Sequence, residues 1–430
     1  MKTKLSPRFW CALTVFSLIG QVAWVVENMY LNVFIYKMFN ASAGDISAMV
    51  AASAVAATVT TVLVGALSDR MGRRKVFLCL GYILWGISLL CFALLRVDLI
   101  GRVFPMAASA AAVGVTLTIV LDCVMTFFGS AANDAAFNAW LTDSVDSRNR
   151  GAAEGINAMM PMVAILVVFG GFMAFDLNEA KSWTLIFILI GAVVTAAGVA
   201  GIFLIQEPPL TPSGTGWLKN VIYGFRPSTV RENPRLYFCL GLFIVFNIAI
   251  QIFMPYLIIY YEVSLGMTNY VLILAPAVIL ASVATALWGR VYDGKGFFFS
   301  AVIALLGLMV GFVGLYLVQS AGAVFAASLF MMCGYLAGMA VFGARIRDLI
   351  PAGKAGMLQG VRIFSQVLVP GVVGPWIGKT VLRNAEMILN SDGTYSFLPS
   401  ADIFLAALVP ALVVAVLLLL EKKLRFSAEN

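Results

Sequence analysis

Polar and apolar residues do not alternate along this chain; they come in blocks. Twelve apolar stretches are long enough to cross a bilayer, which takes about 20 helical residues. They cover 10–37, 46–68, 76–96, 113–142, 155–175, 183–205, 235–261, 268–289, 298–318, 321–345, 362–382 and 400–420. Backbone groups in lipid must find partners within their own segment, so these runs predict helices. A membrane barrel would need short segments of strict alternation, and the chain has none. The apolar stretch 97–112 is extra chain in the first half and predicts a lengthened helix or an interfacial segment on the external side.

The longest polar interruption, 206–234, falls mid-chain and carries Pro208, Pro209, Gly214 and Pro234. It divides six runs from six. The expected domains are a six-helix bundle over 1–205, a central cytoplasmic linker over 206–234 and a second six-helix bundle over 235–430. An internal repeat supports the division. Gly65, Asp69 and Gly72 recur at one constant offset as Gly289, Asp293 and Gly296. Asp143, Gly151, Glu154 and Gly155 recur at another as Asp348, Gly356, Gln359 and Gly360.

Composition excludes a soluble enzyme. Only 11% of residues are charged and 62% are hydrophobic, whereas soluble domains carry roughly a quarter charged residues. Mean hydropathy is +0.97. The net charge of +7 could suit nucleic acid, but the basic residues are spread over short loops. Clusters such as Arg70, Arg73, Arg74 and Lys75, or Lys422, Lys423 and Arg425, fall on one side. Lys37, Arg96, Arg102, Lys181, Lys379 and Arg383 are the few on the other. The positive-inside rule then places both termini in the cytoplasm, in what is expected to be a bacterial inner membrane. Lys2, Lys4 and Arg8 precede a first run too long for a signal peptide, so that run is expected to stay as a helix.

Several chemistries have no residues to carry them. There is no histidine, the six cysteines show no CxxC spacing, and no phosphate-binding glycine loop is present. No metal, cofactor or nucleic-acid partner is expected, nor an enzyme. A monomer in the lipid bilayer is expected, handling a small-molecule solute.

The stretch Gly65-Ala-Leu-Ser-Asp69-Arg70-Met71-Gly72-Arg73-Arg74-Lys75 resembles the signature loop of the major facilitator superfamily, with a degenerate copy at Gly289–Gly296. The resemblance implies alternating access, in which two six-helix halves rock around a midplane site. It assigns Gly65, Asp69, Arg70, Gly72, Arg73 and Asp293 to a cytoplasmic gate. There Gly65 would let helices approach closely, and Asp69 would pair with Arg70 and Arg73. Within the superfamily the chain resembles the glycoside–pentoside–hexuronide cation symporters, the melibiose permease group. The resemblance rests on the first helix, the Asn133–Arg148 stretch and the Asp348–Gly360 segment. That group's second-helix aspartates are missing; Thr58, Thr60 and Thr61 stand in 46–68 instead.

Polar residues inside apolar runs are functional candidates by default. Gln21, Trp24, Asn28 and Asn32 follow helical spacing and are expected to share one face, with Glu27 beside it and Trp24 as a stacking platform for a sugar ring. Asp134 and Asn138 lie four apart in the fourth helix, and Asp122 about 18 Å away in the outer half. Asp134 is the expected substrate or coupling carboxylate; a buried ion pair with Arg362 is its alternative use. In the seventh helix Asn247 and Gln251 are four apart, and Pro255 precedes Tyr256, Tyr260 and Tyr261, which suit a gating bend or an interfacial belt. The predicted substrate residues are therefore Gln21, Trp24, Asn28, Asn32, Asp134, Asn138, Asn247 and Gln251. Glu27, Asp122 and Asp134 are the coupling candidates for a proton or sodium ion. Cation-coupled uptake of a glycoside or oligosaccharide is the leading function. A proton-driven exporter of amphipathic compounds, a lipid-type carrier and a non-transporting sensor or scaffold are the alternatives.

Overall fold

A computed structural model describes residues 5–145, 149–207, 223–351, 355–390 and 393–429. Lys2, Lys4, Asp146, Ser147, Arg148, Pro208, Pro209, Gly214, Lys219 and Lys354 lie outside the described residues. Eleven helices among the described residues are long and apolar enough to cross a membrane. They are α1 (Pro7–Phe39), α2 (Ala43–Met71), α3 (Lys75–Phe92), α4 (Ala110–Ser144), α5 (Ala152–Phe172), α6 (Ala180–Leu204), α7 (Pro234–Ser264), α8 (Val271–Leu317), α9 (Ala321–Leu349), α10 (Gly360–Asn384) and α11 (Asp402–Lys422).

Twelve predicted runs become eleven helices because α8 spans 47 residues. It holds two crossings joined at Gly296, whose φ of 79° and ψ of 175° are not helical. Gly296 closes the second copy of the repeated motif. Gly72 closes the first and caps α2 with φ 61°. Both copies thus need a positive φ at the same motif position, which glycine supplies without steric cost.

Local signals fix the helix ends. Pro7 and Pro234 open α1 and α7 at positions where a missing N–H is harmless. Ser42 and Asp45 form a reciprocal capping box at the start of α2. Arg8 returns to the far end of α6, donating from Nε to the Leu204 carbonyl at 3.1 Å.

The chain forms two compact units, Met1–Val221 and Ile222–Asn430. In the first, α3 and α6 touch backbone to backbone. A Cβ on Gly86 would lie 2.4 Å from the Thr195 nitrogen and 2.6 Å from the Gly191 carbonyl oxygen. Small residues at such crossings are how helices pack when lipid removes the hydrophobic drive between them. Gly86→Ala therefore forces the two backbones apart and lowers stability by about 2 kcal/mol, read as earlier thermal unfolding in detergent. Gly170→Ala, where a Cβ meets nothing within 4 Å, leaves the transition in place.

Three details add to the expected architecture. The chain is not wholly helical: Met387–Leu389 (β1) and Tyr395–Phe397 (β2) pair antiparallel in the register Met387↔Phe397. This segment is too short and polar to span, and Gly393, at φ 83°, serves the connection. Of the two expectations for 97–112, the lengthened helix does not form; Val97–Val103 is a separate short helix, as an interfacial segment would be. Arg96 and Asp98 pair beside it at 3.0 Å, which holds the Asp98 carboxyl below its ordinary range. Met106 is 99% exposed, as suits an apolar side chain lying in an interface. Finally, the described parts of the polar stretch 206–234 carry local structure. Trp140 Nε1 donates to the Gln206 carbonyl at 3.0 Å, Glu207 accepts from the backbone of Lys75, and Pro227–Glu232 forms a helical turn.

Candidate functional site

The polar residues of the first unit converge where its helices are irregular. α1 contains a π-helical turn at Val26–Tyr30 and α4 a longer one at Ser130–Phe137. A π turn inserts a residue into the helical repeat, rotates the residues beyond it and widens the carbonyl ladder. This overturns the expectation that Gln21, Trp24, Asn28 and Asn32 share one face. Gln21 and Trp24 are half-buried and Asn28 is exposed, but Asn32 beyond the π turn is 1% exposed and faces the packed interior.

Four asparagines share a bonding pattern. Each gives its amide nitrogen to the carbonyl four residues back: Asn28 to Trp24 at 2.8 Å, Asn32 to Asn28 at 3.0 Å, Asn138 to Asp134 at 3.1 Å, and Asn247 to Phe243 at 2.8 Å. Asn138 also reaches the Asn133 carbonyl at 3.2 Å. A carbonyl can only accept, so the nitrogen must face it, and the amide oxygen is left to offer together with at most one N–H. Exposed Asn28 and Asn138 and half-buried Asp134 therefore present acceptors.

Trp24 is held rather than loose. Its Nε1 donates to Asn133 Oδ1 at 3.3 Å, Asn133 Nδ2 donates to the Tyr82 hydroxyl at 2.7 Å, and that hydroxyl donates to the Phe16 carbonyl at 2.7 Å. The Trp24 ring lies 5.0 Å from Trp85. Gly20 makes room for this chain: a Cβ there would sit 2.1 Å from Asn133 Nδ2 and 2.5 Å from the Tyr82 hydroxyl. Helical spacing points to Trp24 but not to Asn133, Tyr82 and Gly20 as its supports.

A second cluster is acidic. Glu27 is 7% exposed, and its Oε1 lies 2.9 Å from Ser53 Oγ and 2.7 Å from Thr126 Oγ1. The two hydroxyls are 2.8 Å apart. Asp122, 2% exposed, interacts with Glu27 and with the Ser53 hydroxyl. Glu27 Oε2 and Asp122 Oδ1 are both buried without a hydrogen-bond partner among the described residues. Asp122 and Glu27 thus form a pair, which their separation in sequence hid. The second helix supplies Ser53 rather than its threonines: Thr58 and Thr61 donate to their own backbone, to Ala54 and Ala57.

At the other end of α2 the signature loop folds around Arg74, an arginine that the motif resemblance does not assign to the gate. Arg74, 7% exposed, pairs with Asp69, with Asp143 at 3.0 Å and with Ser68, while Glu207 accepts from its backbone N–H. Arg70 and Arg73 are exposed, and neither forms an ion pair with Asp69 among the described residues. The left-handed turn at Gly72 reverses the chain and aims residue 74 back at the acids. Gly65 is not a close-approach glycine either, since a Cβ there would meet Ala135 at an ordinary 3.9 Å.

The second unit keeps the scaffold without the arginine. At the two repeat offsets Ser68 becomes Tyr292 and Asp143 becomes Asp348, and the Tyr292 hydroxyl donates directly to Asp348. Phe298 stands where Arg74 would, and Asp293 is exposed. Higher in α7, Asn247 is 6% exposed and Gln251 half-buried, with Gly374 of α10 pressed against the Gln251 backbone. Pro255 lies in a 3-10 turn followed by a π turn at Tyr260–Ser264. Tyr256, Tyr260 and Tyr261 are buried, which rules out an interfacial belt; Tyr260 donates to the Leu315 carbonyl at 3.3 Å.

The sequence model described as the Major Facilitator Superfamily matches residues 10–375. No curated protein matches the chain. Among solved structures, a bacterial homologue of the human lysosomal transporter Spinster, inward-facing and unoccupied, superposes with a TM-score of 0.71 at 15% identity, covering 97% of both chains. Its inward-facing occupied form gives 0.67 at 16% identity, covering 98% of each. The nucleoside transporter NupG, as its D323A mutant, gives 0.70 at 13% identity over 95% of this chain and 98% of the other.

Proposed function

The chain belongs to the major facilitator superfamily, and from that premise we propose that it takes up a neutral glycoside together with protons by alternating access. It is a multi-pass membrane transporter and not an enzyme. The finer reading rests on the two clusters that α1 and α4 build together.

The asparagine pattern carries the solute assignment. Side chains that turn their amide nitrogens toward their own helix present carbonyl and carboxylate oxygens, with one N–H left on Asn28, and such a set suits a ligand whose hydroxyls both donate and accept. Sugar hydroxyls do both, and Trp24, braced by Asn133 and Trp85, offers a flat apolar face for a ring. An organic anion would instead call for a buried Arg or Lys, and among the described residues neither stands in this cluster. Nucleosides are N-glycosides, so the fold shared with NupG puts them on the list of solutes to try beside oligosaccharides and simple glycosides. The resemblance to the melibiose permease group favours the same class.

The acidic cluster carries the coupling assignment. Three oxygens, of Glu27, Ser53 and Thr126, sit at mutual hydrogen-bond distances. Both hydroxyls donate to Glu27 Oε1, and its Oε2, buried and unpartnered among the described residues, is where a proton would be taken up and released. Oxygens 2.7 to 2.9 Å apart also leave no space for a cation among them. Asp122, buried beside this triangle, is the second acid through which a proton would pass, and Asp134 offers its carboxylate to solute hydroxyls. The positive-inside charge pattern supports cytoplasmic termini, and on that reading uptake runs toward the arginine-rich loops.

Proteoliposomes given a panel of labelled glycosides and nucleosides test this reading. Saturable uptake of at least one under an inward proton gradient is expected, and no saturable uptake under proton or sodium gradients would end it. Asn133→Ala releases Trp24 and leaves the Tyr82 hydroxyl without its donor. The expected result is an apparent affinity about tenfold weaker, equivalent to about 1.4 kcal/mol, with the transport rate at saturation nearly kept. Gly20→Ala, which displaces the same amide, should behave alike.

A further inference from the structure

The second unit holds a cavity of about 290 Å³ that the transport chemistry does not use. It lies where the start of α7, the bend of α8, and the ends of α9 and α11 meet. Four cations line it, Arg235, Lys295, Arg345 and Lys422, against a single acid, Glu421. Three of the four stand over rings: Arg345 over Phe297 at 5.4 Å, Lys422 over Phe298 at 4.5 Å and Lys295 over Phe299 at 5.5 Å. The remaining wall is apolar, with Phe238, Leu242 and Leu349.

The first unit shows what this place does when it is neutralised from within. There Arg74 is buried between Asp69 and Asp143. In the second unit Phe298 replaces that arginine, Asp348 is taken by Tyr292, and the cations around the bend outnumber the acids. Four like charges held together around a cavity repel one another, so an anion brought among them is favoured. Three of the four charges stand on rings, an arrangement that fixes their positions and, among the described residues, leaves their hydrogen-bond donors unspent.

We propose that this cavity seats the phosphate of an anionic phospholipid. The chemistry required is a phosphate ester, which arginine forks and lysine ammonium groups bind well. Lipid is favoured over a free phosphate by the wall. Phe238 of the wall is 37% exposed, and Phe299, outside the cavity but under Lys295, is 42% exposed, so apolar surface on the outside of the helices adjoins the cationic floor, as a glycerol backbone and acyl chains need. Basic pockets between helix ends are where acidic headgroups bind in membrane proteins generally. A bound headgroup would tie four helix ends together.

The full chain reconstituted in nanodiscs tests this. Thermal unfolding is compared in phosphatidylcholine alone and with a quarter phosphatidylglycerol, and retained lipid is counted by native mass spectrometry after detergent extraction. The wild type should unfold several degrees later in the anionic discs and retain about one phosphatidylglycerol. Arg345→Ala/Lys422→Ala should lose both effects, while Arg226→Ala/Arg231→Ala, removing two exposed cations near the start of α7, should keep both. Equal lipid stabilisation in wild type and both double variants would overturn the proposal, since it would mark diffuse surface attraction. Stabilisation by inorganic phosphate in detergent that matches the lipid effect and depends on Arg345 would overturn the lipid assignment in favour of a free-anion site. Should the first double variant not fold, Lys422→Gln alone must lower the retained lipid at least severalfold; unchanged retention refutes the site.

Discussion

Glu27→Gln should uncouple the transporter without stopping it. Glutamine keeps an oxygen where Glu27 Oε1 accepts from Ser53 and Thr126, so the local fold survives, but it can neither take nor release a proton. An inward gradient of one pH unit drives at most about tenfold accumulation per coupled proton, or about 1.4 kcal/mol. Wild-type proteoliposomes should approach that ratio, and the Glu27→Gln protein should settle at equal concentrations inside and out. Exchange of labelled against unlabelled solute, which needs no net proton movement, should continue at a comparable rate. Asp122→Asn leaves Glu27 in place and should weaken accumulation less. Loss of exchange along with accumulation would instead mark Glu27 as a fold or binding residue.

The largest stability effect is expected at Arg74. Its guanidinium is buried and holds Asp69, Asp143 and Ser68 at once. Arg74→Ala leaves two carboxylates facing each other with no counter-charge. Breaking a buried pair costs about 3–5 kcal/mol. The lower end applies here because the Asp69 side chain is 52% exposed and partly screened by solvent. A loss of about 3 kcal/mol corresponds to roughly 6–12 °C in unfolding temperature for a unit of this size. Arg74→Lys keeps the charge but not the fork, so it should recover only part of that loss. Arg70→Ala and Arg73→Ala, at exposed positions, should change the transition little.

These contrasts separate what the sequence carries from what it hides. The crossings are legible because a block of about 20 apolar residues has few other fates in water or lipid. The repeat is legible as well, and it even marks Gly296, the bend that makes one helix into two crossings. Positions within a crossing are harder. A π turn shifts the face by one residue, and no residue type in 26–30 or 130–137 demands one, so regular helical spacing puts Asn32 on the wrong side. Glu27 and Asp122 stand far apart in the chain, and only packing of α1, α2 and α4 brings them to Ser53 and Thr126. The choice of Arg74 over Arg70 and Arg73 depends on the reversal at Gly72, a backbone effect that charge counting does not see. The β1–β2 hairpin escapes a pattern search because three-residue strands leave no periodicity to read.

Joint movement of solute and proton is the central claim, and it can be measured directly on proteoliposomes held under a membrane-potential clamp with no pH gradient. A transported glycoside is added outside while external pH is recorded in weak buffer. We predict a prompt alkalinisation that scales with solute uptake in the wild type and is absent in the Glu27→Gln protein, although that protein still exchanges solute. Uptake without any pH change in the wild type, or an equal alkalinisation in both proteins, would contradict it.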